Sequence, residues 1–298
     1  MIKPSVTFLS LLYLSFNAFA VMAGESRQLT VFVSVLPQKY IVEQIGGEHV
    51  RVQVMVGPGQ SPATFEPRPR QMALLARADL YYRIGVPFEE AWLDRILAAN
   101  RKMSLLDARE GVLLREMEPA GRYHHDYDHT HHQGEHKDPH IWLNPAMVRL
   151  MAAKLKDRLI ALDPVHSETY LANQARLDRL LIRLESDVRE RLASLKNRKF
   201  MVFHPSWGYF ADAFKLRQIP IESEGKEPGA MTLGRLIDQA KNEGIQVIFV
   251  QQQFSQRQAK ALAQAIDGRV VAIDSLAEDY PANLRRVADA IAGANRRG

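Results

Sequence analysis

The sequence predicts an α/β protein: two α/β lobes with mostly parallel sheets, joined by one long rigid helix. Two observations carry this expectation. Short, β-branched apolar runs alternate with stretches of helical spacing in both halves of the chain, as parallel strands with crossover helices require. Between those halves, residues 167–195 hold apolar spacing over a far longer stretch than any other segment. A length of 298 residues suits two lobes or one large domain.

Residues 1–23 read as an export signal. Lys3 gives a basic start, residues 6–20 are almost wholly apolar, and Ala18-Phe19-Ala20 and Val21-Met22-Ala23 offer small residues for cleavage. An apolar run of about 15 residues is short for a membrane span. Cleavage and a periplasmic location are expected, with the mature chain starting near Val21 or Gly24. The chain has no cysteine, which excludes disulfides, thiolate metal ligands and a lipidated N-terminal cysteine.

The first lobe, residues 24–164, opens with a strand at 29–36 and a helix at 38–45 closed by Gly46-Gly47. A strand at 50–56 ends in the turn-rich Gly57-Pro58-Gly59-Gln60-Ser61-Pro62, and Pro69 starts a helix over 70–78. A strand at 79–84 and a helix at 88–99 follow, then a polar loop at 123–137 and a helix at 145–162 that Asp163-Pro164 breaks. The linking helix is assigned to 165–196; as a helix, 167–195 would be roughly 40 Å long, a strut between lobes. In the second lobe, 197–298, strands at 199–203, 217–221, 245–250 and 269–273 alternate with helices at 207–214, 231–242, 255–266 and 281–292.

The formal net charge is +5, and Lys3 accounts for one of those charges. Basic residues are interleaved with acids, as over residues 176–191, and do not cluster with aromatic platforms, so no nucleic-acid partner is expected.

The loop at 123–137 carries six of the ten histidines: His124, His125, His129, His131, His132 and His136. Imidazole is largely unprotonated near neutral pH and is the commonest metal-ligating side chain. A tract mixing His with Asp and Glu, without apolar periodicity, reads as metal-binding rather than core. Without cysteine, any metal site must use nitrogen and oxygen ligands. Open α/β sheets bind ligands at the carboxyl ends of their strands. His204 follows the strand at 199–203, Asp274 follows the strand at 269–273, and residues 57–66 follow the strand at 50–56; His140 lies in an Asp-Pro-His turn ahead of a helix. Trp92, Trp142 and Trp207 are expected to be packing residues, and His49 and His166 surface residues. Glu222, Glu224, Lys226 and Glu227 either line the cleft or solvate a loop.

These residues resemble the zinc/manganese-type periplasmic solute-binding proteins of metal ABC transporters. The resemblance runs over about residues 28–295 and rests on GPGQSPATFEPRPRQM (57–72), DPHIWLNP (138–145), FHPSWGYFADAF (203–214), EGKEPGA (224–230), FVQQQFS (249–255) and AIDSLAEDY (272–280). It implies two α/β lobes on one long helix, one metal held between them, and a membrane permease as partner. The loop at 123–137 stands where zinc-specific members carry a His-rich loop. The resemblance implies His140 as a ligand from the first lobe and His204 and Asp274 as ligands from the second.

The family's fourth ligand is a histidine in Gly-x-x-Pro-His-x-Tyr/Phe-Glu-Pro, and here Ala63 occupies its place in Gly59-Gln60-Ser61-Pro62-Ala63-Thr64-Phe65-Glu66-Pro67. Tetrahedral zinc takes four ligands. Glu66, an imidazole of the His-rich loop or water remain as candidates for the fourth.

The expected function is therefore periplasmic capture of Zn²⁺, with Mn²⁺ less suited, by a monomer without catalytic activity. Capture needs neutral imidazoles, so affinity is expected to fall on acidification. A zinc hydrolase with a three-ligand site plus water is the alternative, although no His-Glu-x-x-His helix, Gly-x-Ser-x-Gly elbow or Ser/Lys pair supports one. A metal-buffering protein in which only the loop binds is the third reading.

Overall fold

The computed structural model describes residues 27–118, 137–222, 225–254 and 256–295. The expected export signal, the six loop histidines and Glu224 lie outside the described residues.

Two four-stranded sheets form, and every strand pair in them is parallel. The first, in the order β2-β1-β3-β4, comprises β1 (Leu29–Val33), β2 (Val50–Val54), β3 (Leu80–Arg83) and β4 (Ser104–Asp107). The second, in the order β6-β5-β7-β8, comprises β5 (Lys199–Val202), β6 (Arg217–Pro220), β7 (Val247–Val250) and β8 (Arg269–Ala272). The helices of the first half are α1 (Leu36–Gly46), α2 (Pro69–Leu75), α3 (Pro87–Ala99) and α4 (Pro145–Leu162). The linking helix is α5 (Ser167–Arg191), and α6 (Gly208–Ala213), α7 (Ala230–Asn242), α8 (Gln256–Ala265) and α9 (Tyr280–Asn295) belong to the second half.

Three expectations shift. β4 was not anticipated: Ser104-Leu105-Leu106-Asp107 is too short to show alternation, and its register with β3 defines it. The strand expected at 29–36 ends at Val33, because Pro37 suits the first turn of a helix and draws Leu36 into α1. The long helix stops at Arg191, although Leu192 and Leu195 beyond it stay buried, so the apolar spacing outlasts the helix.

α5 buries Tyr170, Asn173, Leu177, Leu181, Leu184 and Val188, three or four residues apart on one stripe. Each fully buried aliphatic side chain contributes about 1.5–3 kcal/mol, which outweighs the helix's surface ion pairs at about 0–1 kcal/mol each. Asn173 donates to the Ile45 carbonyl at the end of α1 at 2.9 Å, and Arg149 of α4 meets Asp178 at 2.6 Å. Farther along, Arg285 of α9 meets Asp187 at 2.8 Å and Arg191 meets Asp289 at 2.9 Å. α5 thus touches α1 and α4 of the first half near its start and α9 of the second half near its end.

One continuous apolar cluster runs from the first sheet through α4 and α5 to α9 and Phe200, Val202 and Phe249 of the second sheet. A smaller cluster, with Met201, Ile248 and Val250, covers the other face beneath α7 and α8. In the first sheet, buried Glu89 gathers the Ser34 hydroxyl, the Ile84 and Gly85 amides at 2.9 and 2.7 Å, and Arg83 at 3.1 Å. That network pins the carboxyl ends of β1 and β3 and leaves a firm rim.

Candidate metal centre

His204 lies just beyond the end of β5, and three neighbours fix it. Its amide donates to Gln251 Oε1 at 3.2 Å, and Gln251 Nε2 donates back to the His204 carbonyl at 2.8 Å and to Ser206 Oγ at 2.9 Å. Gln251 directly follows β7, so the carboxyl ends of two adjacent strands are tied together at this residue. The imidazole stacks on Phe254 with centroids 4.8 Å apart, and its Nδ1 bonds the buried Glu222 carboxylate, which follows β6. Burial pushes the His204 imidazole below its ordinary pKa; nearby His140 adds to that fall and Glu222 opposes it. His204 therefore keeps a free lone pair at neutral pH.

His140 precedes a short 3-10 turn, Ile141–Leu143, ahead of α4, which Asn144 caps by accepting from the Ala146 amide at 2.9 Å. Asp138 Oδ1 accepts from the His140 amide at 3.0 Å and bonds its Nδ1 at 2.7 Å. A bridge between Glu116 and Lys137 and the bond from Asp138 N to Arg115 O at 2.9 Å hold this segment in place. Trp142 then reaches the other half of the chain, donating from Nε1 to the Ser275 carbonyl at 2.7 Å.

The two imidazoles meet. Their ring centroids are 5.3 Å apart with planes at 73°, one approached from the first half of the chain and one from the second. Tyr209 of α6 ties the two sides beside them: its hydroxyl donates to the Asp138 carbonyl at 3.0 Å and accepts from the Arg115 amide at 3.0 Å. Gly208 allows this closeness, since a Cβ there would collide with the Arg115 guanidinium and crowd Asp138.

The other expected ligands stand apart from this pair. Asp274 lies two residues past β8; its Oδ1 accepts from the Leu276 amide at 2.8 Å and its carbonyl from Asn283 at 2.6 Å. It lines a cleft of about 230 Å³ together with Gln252, Asn283 and Arg286. Glu66 is exposed on the loop after β2, next to Phe65, which packs edge-on against Phe88 at 5.0 Å. Among the described residues, no three His, Asp or Glu side chains come together in a geometry that holds a metal ion.

Of the four residues left open between cleft and loop, Glu222 lines the histidine pair, whereas Glu227 is exposed and bonds Gln258 at 2.7 Å. Trp142 and Trp207 are fully buried, as packing residues should be. His49 and His166 are half-buried rather than on the surface, stacked on each other at 3.7 Å, with His166 bonded to Asp163 at 2.6 Å. The roles of Asp138, Gln251, Phe254 and Tyr209 were missed. The motifs at 138–145, 203–214 and 249–255 contain all four, but only the fold shows which of them touch the imidazoles.

The family described as "ZnuA: Zinc-uptake complex component A periplasmic" matches residues 31–294. The high-affinity zinc uptake system protein ZnuA of Yersinia pestis is 28% identical over 264 residues, covering 83% of this chain and 82% of that one. A crystal structure of ZnuA shares 41% identity at a TM-score of 0.83, covering 90% of this chain and 99% of that one. A ZnuA deletion mutant solved with zinc bound shares 40% identity at a TM-score of 0.83, covering 91% of this chain and 99% of that one. With nearly all of its described residues matched, the chain belongs to the family of periplasmic zinc-uptake component A proteins.

Proposed function

We propose that this chain captures Zn²⁺ in the periplasm and delivers it to the membrane permease of an ABC transporter. The observation that carries this reading is the meeting of His140 and His204, 5.3 Å apart and contributed by the two halves of the chain. Imidazole suits zinc better than manganese, which favours carboxylate oxygen. The relatives' own names point the same way: one is a zinc uptake protein and another was solved with zinc bound.

In this reading zinc is cargo and no bond of a substrate is made or broken. His140 and His204 take the ion first. Asp274 joins by a local shift of its loop, and Glu66, a His-rich-loop imidazole or water completes the sphere. His124, His125, His129, His131, His132 and His136 scavenge zinc through weak, interchangeable sites. The protein is exported with cleavage after Ala20 or Ala23 and works as a monomer with no nucleic-acid partner. Its lobes are residues 24–164 and 197–298, joined by 165–196.

Zinc titration of the purified mature protein against a competing chelator tests this. His140→Ala and His204→Ala should each abolish stoichiometric tight binding, whereas deletion of residues 124–136 should leave it. Loss of tight binding on loop deletion, with both point variants intact, would place the site in the loop and overturn the reading.

A further inference from the structure

We propose that Asp138 and Glu222 are positioning residues that aim Nε2 of His140 and His204 at one captured ion. The inference rests on the reading of those two histidines as zinc ligands.

The two histidines share one design, although they come from different parts of the fold. Each has a buried carboxylate on its Nδ1 edge: Asp138 for His140, two residues earlier in the chain, and Glu222 for His204, at the end of the neighbouring strand. Both carboxylates are 1% exposed. A carboxylate oxygen on the Nδ1 edge accepts from a ring N–H there, and a proton held on Nδ1 leaves Nε2 with its lone pair. Neither Nε2 is hydrogen-bonded among the described residues. The carboxylates thus stand behind the imidazoles and not beside them. This arrangement fixes the tautomer and ring orientation of a metal-binding histidine.

The second oxygens of these carboxylates add an independent observation. Asp138 Oδ2 and Glu222 Oε2 are buried and have no hydrogen-bond partner among the described residues. Burying a carboxylate with an unmet oxygen is costly unless nearby positive charge offsets it. Arg115, the guanidinium beside Asp138, bonds Glu118 and meets Asp212 at 3.5 Å, while its own Nη1 is buried without a hydrogen-bond partner among the described residues, so it lends Asp138 charge but no hydrogen bond. The cleft therefore meets its cargo with nitrogen, and the carboxylates stand one hydrogen bond further back. Such a site favours a borderline ion such as Zn²⁺ over the oxygen-preferring Mn²⁺.

The test combines chelator-competition titration with Zn²⁺ alone and long-range ¹H–¹⁵N correlation of the histidine rings in the metal-free mature protein. In the wild type, both His140 and His204 should show the tautomer protonated at Nδ1. Asp138→Asn and Glu222→Gln should each weaken zinc binding roughly 10–100-fold while the thermal midpoint of the metal-free protein changes little. An Nδ1-unprotonated tautomer for either wild-type ring overturns the proposal without any variant having to fold. Wild-type affinity in both carboxamide variants, with His140→Ala and His204→Ala still losing the ion, overturns it too. If the two alanine variants themselves bind normally, the underlying assignment of the ligands fails instead.

Discussion

The Tyr209 hydroxyl donates to the carbonyl oxygen of Asp138 at 3.0 Å and so joins the segment that carries one histidine to the helix that follows the other. Trp142 repeats the connection on a second path through Ser275, at 2.7 Å. Lys39 of α1 bonds Glu278, and Tyr40 packs on Tyr280 at 6.0 Å, so the two halves also meet at the start of α9. The histidine pair is therefore held by contacts distributed around it, with α5 as a rigid spine.

Tyr209→Phe tests that linkage. The substitution keeps the ring, which is 2% exposed, and deletes a hydroxyl that serves both the Asp138 carbonyl and the Arg115 amide. Leaving one buried and one part-buried backbone group without this partner should cost about 1–3 kcal/mol. Urea unfolding should show a lower midpoint with an unchanged slope. Because Asp138 also holds His140, zinc affinity should weaken together with stability.

Asp107 gives the acid limb of stability. Burial pushes its carboxyl up, but Arg109, through its guanidinium and its amide, and Arg83 outweigh burial and hold it below the ordinary value of 3.8. A carboxylate depressed by folding stabilises fully above its unfolded pKa, and that stability is lost as pH falls through the folded value. Asp107→Asn should therefore lower stability by about 1 kcal/mol at neutral pH. The difference from wild type should disappear as pH falls below the depressed value. Unfolding midpoints measured from pH 7 down to pH 2 check both the size and the direction.

Legibility followed the range of the forces involved. β1, β2 and β3 could be read because their β-branched runs and flanking turns are local signals. β4 could not, since Ser104-Leu105-Leu106-Asp107 becomes a strand only by pairing with β3. His140 and His204 stood out because a histidine beside a strand end or in an Asp-Pro-His turn is unusual, and the family motifs contain them. Glu222 could not be told from the acids around it: its contact with His204 spans 18 residues and depends on β5 and β6 lying side by side. The stacking of His49 on His166 likewise joins the turn before β2 to the break between α4 and α5. Spacing along the chain carries no trace of it.

Ala63 supplies the last prediction. The loop that holds it is anchored, since the Phe88 amide donates to the Pro62 carbonyl at 3.2 Å and buried Phe65 packs on Phe88. Ala63 itself is exposed, and among the described residues it is bonded through its amide to Ser61 Oγ at 3.3 Å, so a larger side chain there replaces no buried contact. Ala63→His restores the family's imidazole and should tighten zinc binding by about tenfold or more, roughly 1.4 kcal/mol, with little change in the stability of the metal-free protein. Glu66→Ala distinguishes the candidates for the open position. If Glu66 supplies the fourth ligand, Glu66→Ala should weaken binding in the parent and have little effect in the Ala63→His background. If the His-rich loop supplies it, deletion of residues 124–136 should have that dependence instead. Chelator-competition titrations of the single and paired variants measure which coupling exists, and no loss in the parent from either change would assign the position to water.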